Sequence, residues 1–271
     1  MPYIPFNCRD KRVLVAEDNA VNRKVVLAML AKFQVNADFA ENGQAALDLL
    51  AKQAYHLVLM DCHMPVMDGY EATRIHRSRE SGLENVRRMP IVALTADTAV
   101  LTQQVCLTAG MDDFLSKPID YQALSDMLSK WLNSDQQHCK ISPQPTEPAL
   151  QPKIDNVSVC WDEAAVLNFV ENDEELLLEL IRLFIESAPE QLLKINQALQ
   201  HNDLDTIAHV AHAIKSMVMN FYAESAQSLA SRLERQARHG ESVELAGLTS
   251  ELNKAVMQLI SSLQQRIKVK P

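Results

Sequence analysis

The hydrophobic residues of this chain keep two different rhythms, and the change between them limits the possible folds more than any other feature. Up to about residue 132, short apolar runs alternate with longer amphipathic stretches. RVLVA at 12–16 and the runs at 37–40, 57–60 (LVLM), 91–94 and 114–116 have the length and composition of buried strands. Between and after them, apolar residues at 22–33, 44–53, 71–79, 100–109 and 121–131 recur at helical spacing. Strand and helix in alternation predict an α/β doubly wound five-stranded parallel sheet with helices on both faces. Beyond about residue 160 strand signals almost vanish. Helical spacing runs through 174–186, 190–201, 204–221, 223–239 and 243–269, with breaks at Pro189, at Asn202-Asp203 and at His239-Gly240. Asn202 or Asp203 suits the N-cap of the helix that follows. Amphipathic helices with short connections predict an all-α antiparallel four-helix bundle.

The two rhythms are separated by a Pro/Gln-rich stretch, 133–158, with no apolar periodicity, which reads as a linker. The predicted division is therefore 10–132, linker, and 159–268. With 271 residues, 47% hydrophobic and 23% charged, the chain has enough apolar material for two cores, which excludes a mostly disordered or collagen-like protein. Its net charge of -9 argues against a nucleic-acid binder, because neutralising phosphates takes clustered Lys and Arg. No apolar run reaches the length of a membrane span, and residues 1–12 hold no signal-peptide core, so no membrane contact is expected. Five scattered cysteines (Cys8, Cys62, Cys106, Cys139 and Cys160) form no C-x-x-C pair. Reduced thiols and a cytoplasmic location are the expectation.

Polar residues cluster where the first fold would place them together. Glu17 and Asp18 follow the first strand, Asp61 the third, Thr95 the fourth and Lys117 the fifth. In an open parallel sheet, ligands bind beyond the carboxyl ends of the strands. Taken singly, each residue reads as a cap or a turn. Taken together, three crowded carboxylates call for a hard cation such as Mg²⁺. Lys117 and Thr95 can hold the oxygens of a phosphoryl group. Asp61, on the central strand, is the best nucleophile, forming an acyl phosphate.

A second reactive group lies on the helix AHVAHAIKSMVMNFYA (208–223). Ile207, Ala211, Ile214, Val218 and Phe221 make its apolar stripe, and His212 falls about 140° from the stripe's centre, on the polar face with His209 and Lys215. A solvated imidazole there is partly neutral near pH 7 and nucleophilic through a ring nitrogen. A plain surface histidine, a metal site at His209 and His212, and His209 as acceptor are the competing readings; bundle metal sites need carboxylates from other helices.

The first half resembles the response-regulator receiver domain of two-component signalling, a flavodoxin-like fold. The resemblance rests on VLVAEDNAVNR (13–23), DCHMPVMDGYEATR (61–74), ALTA (93–96) and SKP (116–118), and covers about 120 residues. It implies that Asp61 is the phosphoacceptor, that Glu17, Asp18, Asp61 and the carbonyl of His63 bind Mg²⁺, and that Thr95 and Lys117 meet the phosphoryl group. Phe114 takes the aromatic switch position, and His63 and Asp97 sit where the family tunes dephosphorylation. The second half resembles a histidine-containing phosphotransfer (HPt) domain, through AHAIK (211–215), Asn220, Ala223 and SLASRLERQAR (228–238). This implies His212 as phosphohistidine with Lys215 in support. Ser216 and Tyr222 stand where that family often has Gly. The two resemblances together imply a phosphorelay in which a histidine kinase loads Asp61 and His212 exchanges phosphoryl with receiver aspartates, including one on a downstream regulator. No kinase catalytic domain or DNA-binding output segment is recognisable. The arrangement resembles the C-terminal part of a hybrid sensor histidine kinase or a free-standing phosphorelay protein; Met1 slightly favours the second, though a truncated reading frame would also start there. An Mg²⁺-dependent aspartate-nucleophile phosphatase and a non-phosphorylated interaction module are the alternatives from other classes.

Overall fold

The computed structural model describes residues 10–82, 88–96, 100–132, 160–240 and 244–269. The linker and Asp97 lie outside them. In the first half, β1 (Arg12–Ala16), β2 (Asn36–Ala40), β3 (Leu57–Asp61), β4 (Ile91–Thr95) and β5 (Asp113–Ser116) form one parallel sheet in the order β2-β1-β3-β4-β5. The two-residue period of a strand sends alternate side chains to opposite faces. Val13, Val15, Leu57, Leu59, Val92 and Leu94 pack with α1 (Ala20–Lys32) and α5 (Tyr121–Leu132). Leu14, Ala16, Val58, Met60, Ile91 and Ala93 pack on the other face with α2 (Gly43–Lys52), α3 (Gly69–Ser81) and α4 (Val100–Ala109). Both faces being covered, β3 and β4 are apolar almost throughout and wholly buried.

Short polar side chains start the helices. Asn19 caps α1, Asn42 caps α2 and Asp68 caps α3, each accepting from backbone N–H groups of the first turn. Gly69, after Asp68, answers to a close approach. A Cβ there would lie 2.1 Å from the Asp61 carbonyl oxygen, and its N–H donates to the Cys62 carbonyl. The end of β3, which carries Asp61, is thus braced against the start of α3.

The second half holds a short α6 (Glu163–Phe169), not foreseen from spacing, then α7 (Glu174–Gln200), α8 (Leu204–Met219), α9 (Glu224–Arg238) and α10 (Leu245–Val269). Asp203 caps α8 through the Thr206 N–H. The break expected at Pro189 does not occur: α7 runs through it. A proline inside a helix costs about 3 kcal/mol. The apolar stripe of α7 continues unbroken across it, with Leu180, Ile181, Phe184, Ala188, Leu192 and Ile195 all buried. Burying one such Leu or Ile side chain contributes about 1.5–3 kcal/mol, so the stripe outweighs the proline.

The halves touch. α1 of the sheet domain packs against α7 and α8, so one apolar cluster runs from the α1/α5 layer into the bundle. Lys24 pairs with Glu179 at 2.6 Å and Lys32 with Glu171 at 2.9 Å across this contact. Among the described residues, no helix is long and apolar enough to cross a membrane.

Candidate phosphotransfer site

The carboxyl ends of β1, β3 and β5 bring together Glu17, Asp18, Asp61 and Lys117. Lys117 Nζ donates to Glu17 Oε2 and Asp61 Oδ2, 2.7 Å each. Glu17 Oε1 accepts from Asn22 Nδ2 at 2.9 Å, and Asp61 Oδ1 accepts from the His63 N–H at 3.2 Å. Oxygens of Glu17, Asp18 and Asp61 lie within 4.8 Å of one another. Burial raises all three carboxyls above their ordinary range, and Asp18, beside the Glu17 charge, is pushed up to about 6. Burial pulls Lys117 down, but Asp61 and Glu17 outweigh it and hold the ammonium charged. One lysine against three carboxylates leaves the pocket short of positive charge. An oxygen-lined, electron-rich cluster of this kind fits a hard divalent cation. Thr95, at the end of β4, is buried. Phe114 is half-buried and packs against the apolar cluster of the α2/α3/α4 face.

The helix α8 carries the second candidate group, and here one expectation fails. The apolar stripe Ile207, Ala211, Ile214, Val218 and Phe221 is buried as spacing predicts, but His212 is not solvated. It is 6% exposed. The polar face of α8 lies on the first domain, and the His212 ring meets His63 edge-on with centroids 4.7 Å apart. Spacing describes a helix relative to its own bundle and is silent about a second domain that covers the opposite face. Lys215 is buried with it.

A residue with no assigned role in the sequence reading organises this group. Glu234, on α9, accepts from His212 Nδ1 at 2.9 Å and from Lys215 Nζ at 2.8 Å, and Arg238 flanks it at 3.1 Å. A carboxylate only accepts, so Nδ1 must carry the proton and Nε2 keeps its lone pair. Burial lowers the His212 pKa against the opposing pull of Glu234, leaving the imidazole neutral at neutral pH. Burial works against the Glu234 charge, but the hydrogen bonds from His212 and Lys215 and the Lys215 charge hold its carboxyl below the usual range. The only sequence signal for Glu234 is a charge adjoining the apolar stripe Ala226, Ala230, Leu233 and Ala237, which any half-buried helix shows. His63 is pushed down to about 3, chiefly by burial, with the positive charges of Arg238 and Lys215 acting in the same direction. His209 is half-buried on the same helix, and burial lowers its pKa.

A cleft of about 630 Å³ between the domains is walled by His212, Lys215, Glu234 and Arg238 from the bundle and by His63 and Thr95 from the sheet domain. Away from it, Asn220 Nδ2 donates to Asn22 Oδ1 at 2.7 Å, continuing the Asn22–Glu17 bond into the bundle. Tyr222, one of the two positions where Gly is common, takes the left-handed conformation (φ +52°) that favours glycine, with its ring edge-on to Phe169.

The sequence model of the response regulator receiver domain matches residues 13–129, and that of the Hpt domain matches residues 179–265. The first half is a response regulator receiver domain and the second an Hpt domain. Among curated proteins, hybrid signal transduction histidine kinase A of Dictyostelium discoideum is 44% identical over 122 residues, 45% of this chain and 6% of that protein. The sensor protein GacS of Pseudomonas syringae pv. syringae is 27% identical over 259 residues, 94% of this chain and 28% of that protein. The chain therefore spans a small part of the length of these relatives. Among solved structures, the receiver domain of sensor histidine kinase PA1611 from Pseudomonas aeruginosa PAO1, with a magnesium ion in its active-site cleft, is 40% identical, with a TM-score of 0.42. That match covers 46% of this chain and 98% of that one. The chain therefore carries a response regulator receiver domain followed by an Hpt domain.

Proposed function

We propose that this protein is a relay station in a two-component phosphorelay. Asp61 accepts phosphoryl from the histidine of a kinase, and His212 exchanges it with receiver aspartates, its own Asp61 first and a downstream regulator's next. The observation that carries this reading is the burial of a neutral, Nε2-free imidazole at the rim of the acidic pocket, against His63, two residues from Asp61.

The chemistry follows from the groups present. Asp61 in its phosphorylated form presents an acyl phosphate, and the lone pair of His212 Nε2 attacks the phosphorus. The P–O bond to Asp61 breaks, the P–N bond forms, and the carboxylate is regenerated. The imidazole becomes cationic as the bond forms, and the Glu234 carboxylate at Nδ1 stabilises that charge without taking the proton. Lys117 holds the carboxylate that accepts and releases the group. Glu17, Asp18, Asp61 and the His63 carbonyl are the groups we assign to Mg²⁺, which supplies charge neutralisation on the phosphoryl oxygens. Thr95 and Lys215 border one cleft, which supports a role for both in holding those oxygens. Phe114 has no hydroxyl, so packing sets its rotamer. Among the described residues Cys62, Cys106 and Cys160 are free thiols, the first two 3.8 Å apart and unjoined, which supports a reducing, cytoplasmic setting.

The test is to give the full chain acetyl phosphate and Mg²⁺ and map phosphoryl groups by mass spectrometry and acid–base lability. Both Asp61 and His212 should be modified; Asp61→Asn should abolish both signals, and His212→Gln should keep only the first. Modification of neither residue in the wild-type chain would overturn the reading. Steady release of phosphate from small esters would favour the phosphatase alternative.

A further inference from the structure

Ser216 has a hydroxyl with nothing to do in the resting molecule. The residue is 3% exposed, and Oγ is hidden from solvent with no hydrogen-bond partner. A serine inside a helix ordinarily returns its hydroxyl to the carbonyl four residues back, here that of His212; Ser216 does not. A buried hydroxyl left unpaired is destabilising, so its presence needs a reason.

Its position supplies one. His212, Ser216 and Asn220 are four residues apart in turn, so they share one stripe of the His212 helix, each about 6 Å beyond the last. Both ends of that stripe rest on the receiver domain. His212 lies against His63, and Asn220 hydrogen-bonds Asn22, which in turn bonds Glu17. Asn22, Asn220, Glu17 and Lys117 border one small recess at the second contact. The stripe therefore runs between a contact beside His63, two residues from Asp61, and a contact at Asn22, which bonds Glu17, and Ser216 is at its midpoint. The phosphoryl oxygens of a group passing between the two domains are the kind of acceptor that this donor lacks.

We propose that the Ser216 hydroxyl is a catalytic hydrogen-bond donor to the phosphoryl group in transit between Asp61 and His212, supplied by the bundle to the shared site. This rests on the relay reading above. The serine keeps its proton and makes or breaks no covalent bond. It donates to a peripheral phosphoryl oxygen while the P–O bond to Asp61 breaks and the P–N bond to His212 forms. The hydroxyl is then satisfied only while the group is present, so its contribution falls on the transfer and not on the resting fold.

The discriminating experiment compares Ser216→Ala, Ser216→Cys and Ser216→Thr in the full chain. Asp61 is loaded with acetyl phosphate and Mg²⁺, and phosphohistidine is followed by rapid quench, with thermal unfolding measured in parallel. The hydroxyl role predicts about tenfold slower transfer in the Ala and Cys variants, with Asp61 loading and thermal midpoint at or above wild type. The Thr variant, which keeps the hydroxyl, should transfer within about threefold of wild type. A purely steric need for a small residue predicts the reverse order, Ala fast and Thr slow, and that order overturns the proposal. Should Thr fail to fold, wild-type transfer by the Ala variant overturns it alone. Absence of phosphohistidine in the wild-type chain would instead sink the relay reading, so the two failures are distinguishable.

Discussion

At the scale of single residues, the site is a matter of which proton sits where. In the proposed relay His212 reacts through Nε2, because Glu234 holds the proton on Nδ1. Replacing Glu234 with Ala removes that acceptor and strands the buried Lys215. Phosphohistidine formation should fall by about 10–100-fold, as for loss of one preorganised electrostatic group. Glu234→Gln keeps an acceptor at Nδ1 but not the charge, and should fall less. Equal rates for the wild type and the Ala variant in a quench assay would remove Glu234 from the mechanism. The acidic set Glu17, Asp18, Asp61 and Lys117 was legible in the sequence because each residue directly follows a recognisable strand. Glu234 was not, since its partners lie 19 and 22 positions away on another helix.

At the scale of elements, α1 does two jobs, packing one face of the sheet and presenting the other to α7 and α8. The pairs Lys24–Glu179 and Lys32–Glu171 frame that contact. Each is partly exposed, and such a pair contributes about 0.2–1 kcal/mol, whereas facing like charges repel. Reversing both lysines to Glu should slow Asp61-to-His212 transfer by about fivefold at low salt and leave Asp61 loading unchanged. Adding Glu171→Lys and Glu179→Lys should restore it, and a quadruple variant as slow as the double one would show that these pairs do not guide docking. Periodicity located α1 and α7 as amphipathic helices. It also cut α7 at Pro189, because a local rule cannot weigh one proline against an apolar stripe that continues on both sides of it.

At the scale of the whole molecule, the acidic pocket sets a pH dependence. The Asp18 carboxyl rises from 3.8 to about 6 on folding. Between those values the folded state binds more protons than the unfolded one, so the Asp18 contribution is full below about pH 4 and lost above about pH 6. Burial shifts Glu17 and Asp61 in the same direction. A divalent cation should therefore bind and stabilise most above pH 6. With Mg²⁺ at 100 times its dissociation constant, unfolding should become about 2.7 kcal/mol harder at pH 7.5, and clearly less so at pH 5, where protons compete. Calorimetry with and without Mg²⁺ at the two pH values checks this; the same gain at both would place the cation elsewhere. The opposite sign holds for His63, pushed down to about 3: its contribution is present above about pH 6.5 and lost as the pH falls, loosening the contact between the domains.

The sequence by itself determined the two architectures, the strand ends where the acidic pocket forms, and the helix that carries His212. These follow from side-chain period, cap residues and turn chemistry, all of which act within a few residues. Only the tertiary structure decided that His212 is buried, that Glu234 sets its tautomer, that Asn220 reaches Asn22, and that a serine hydroxyl is left waiting between them. Each of those depends on surfaces brought together from distant parts of the chain, and no local pattern encodes which face of one domain will cover which face of another.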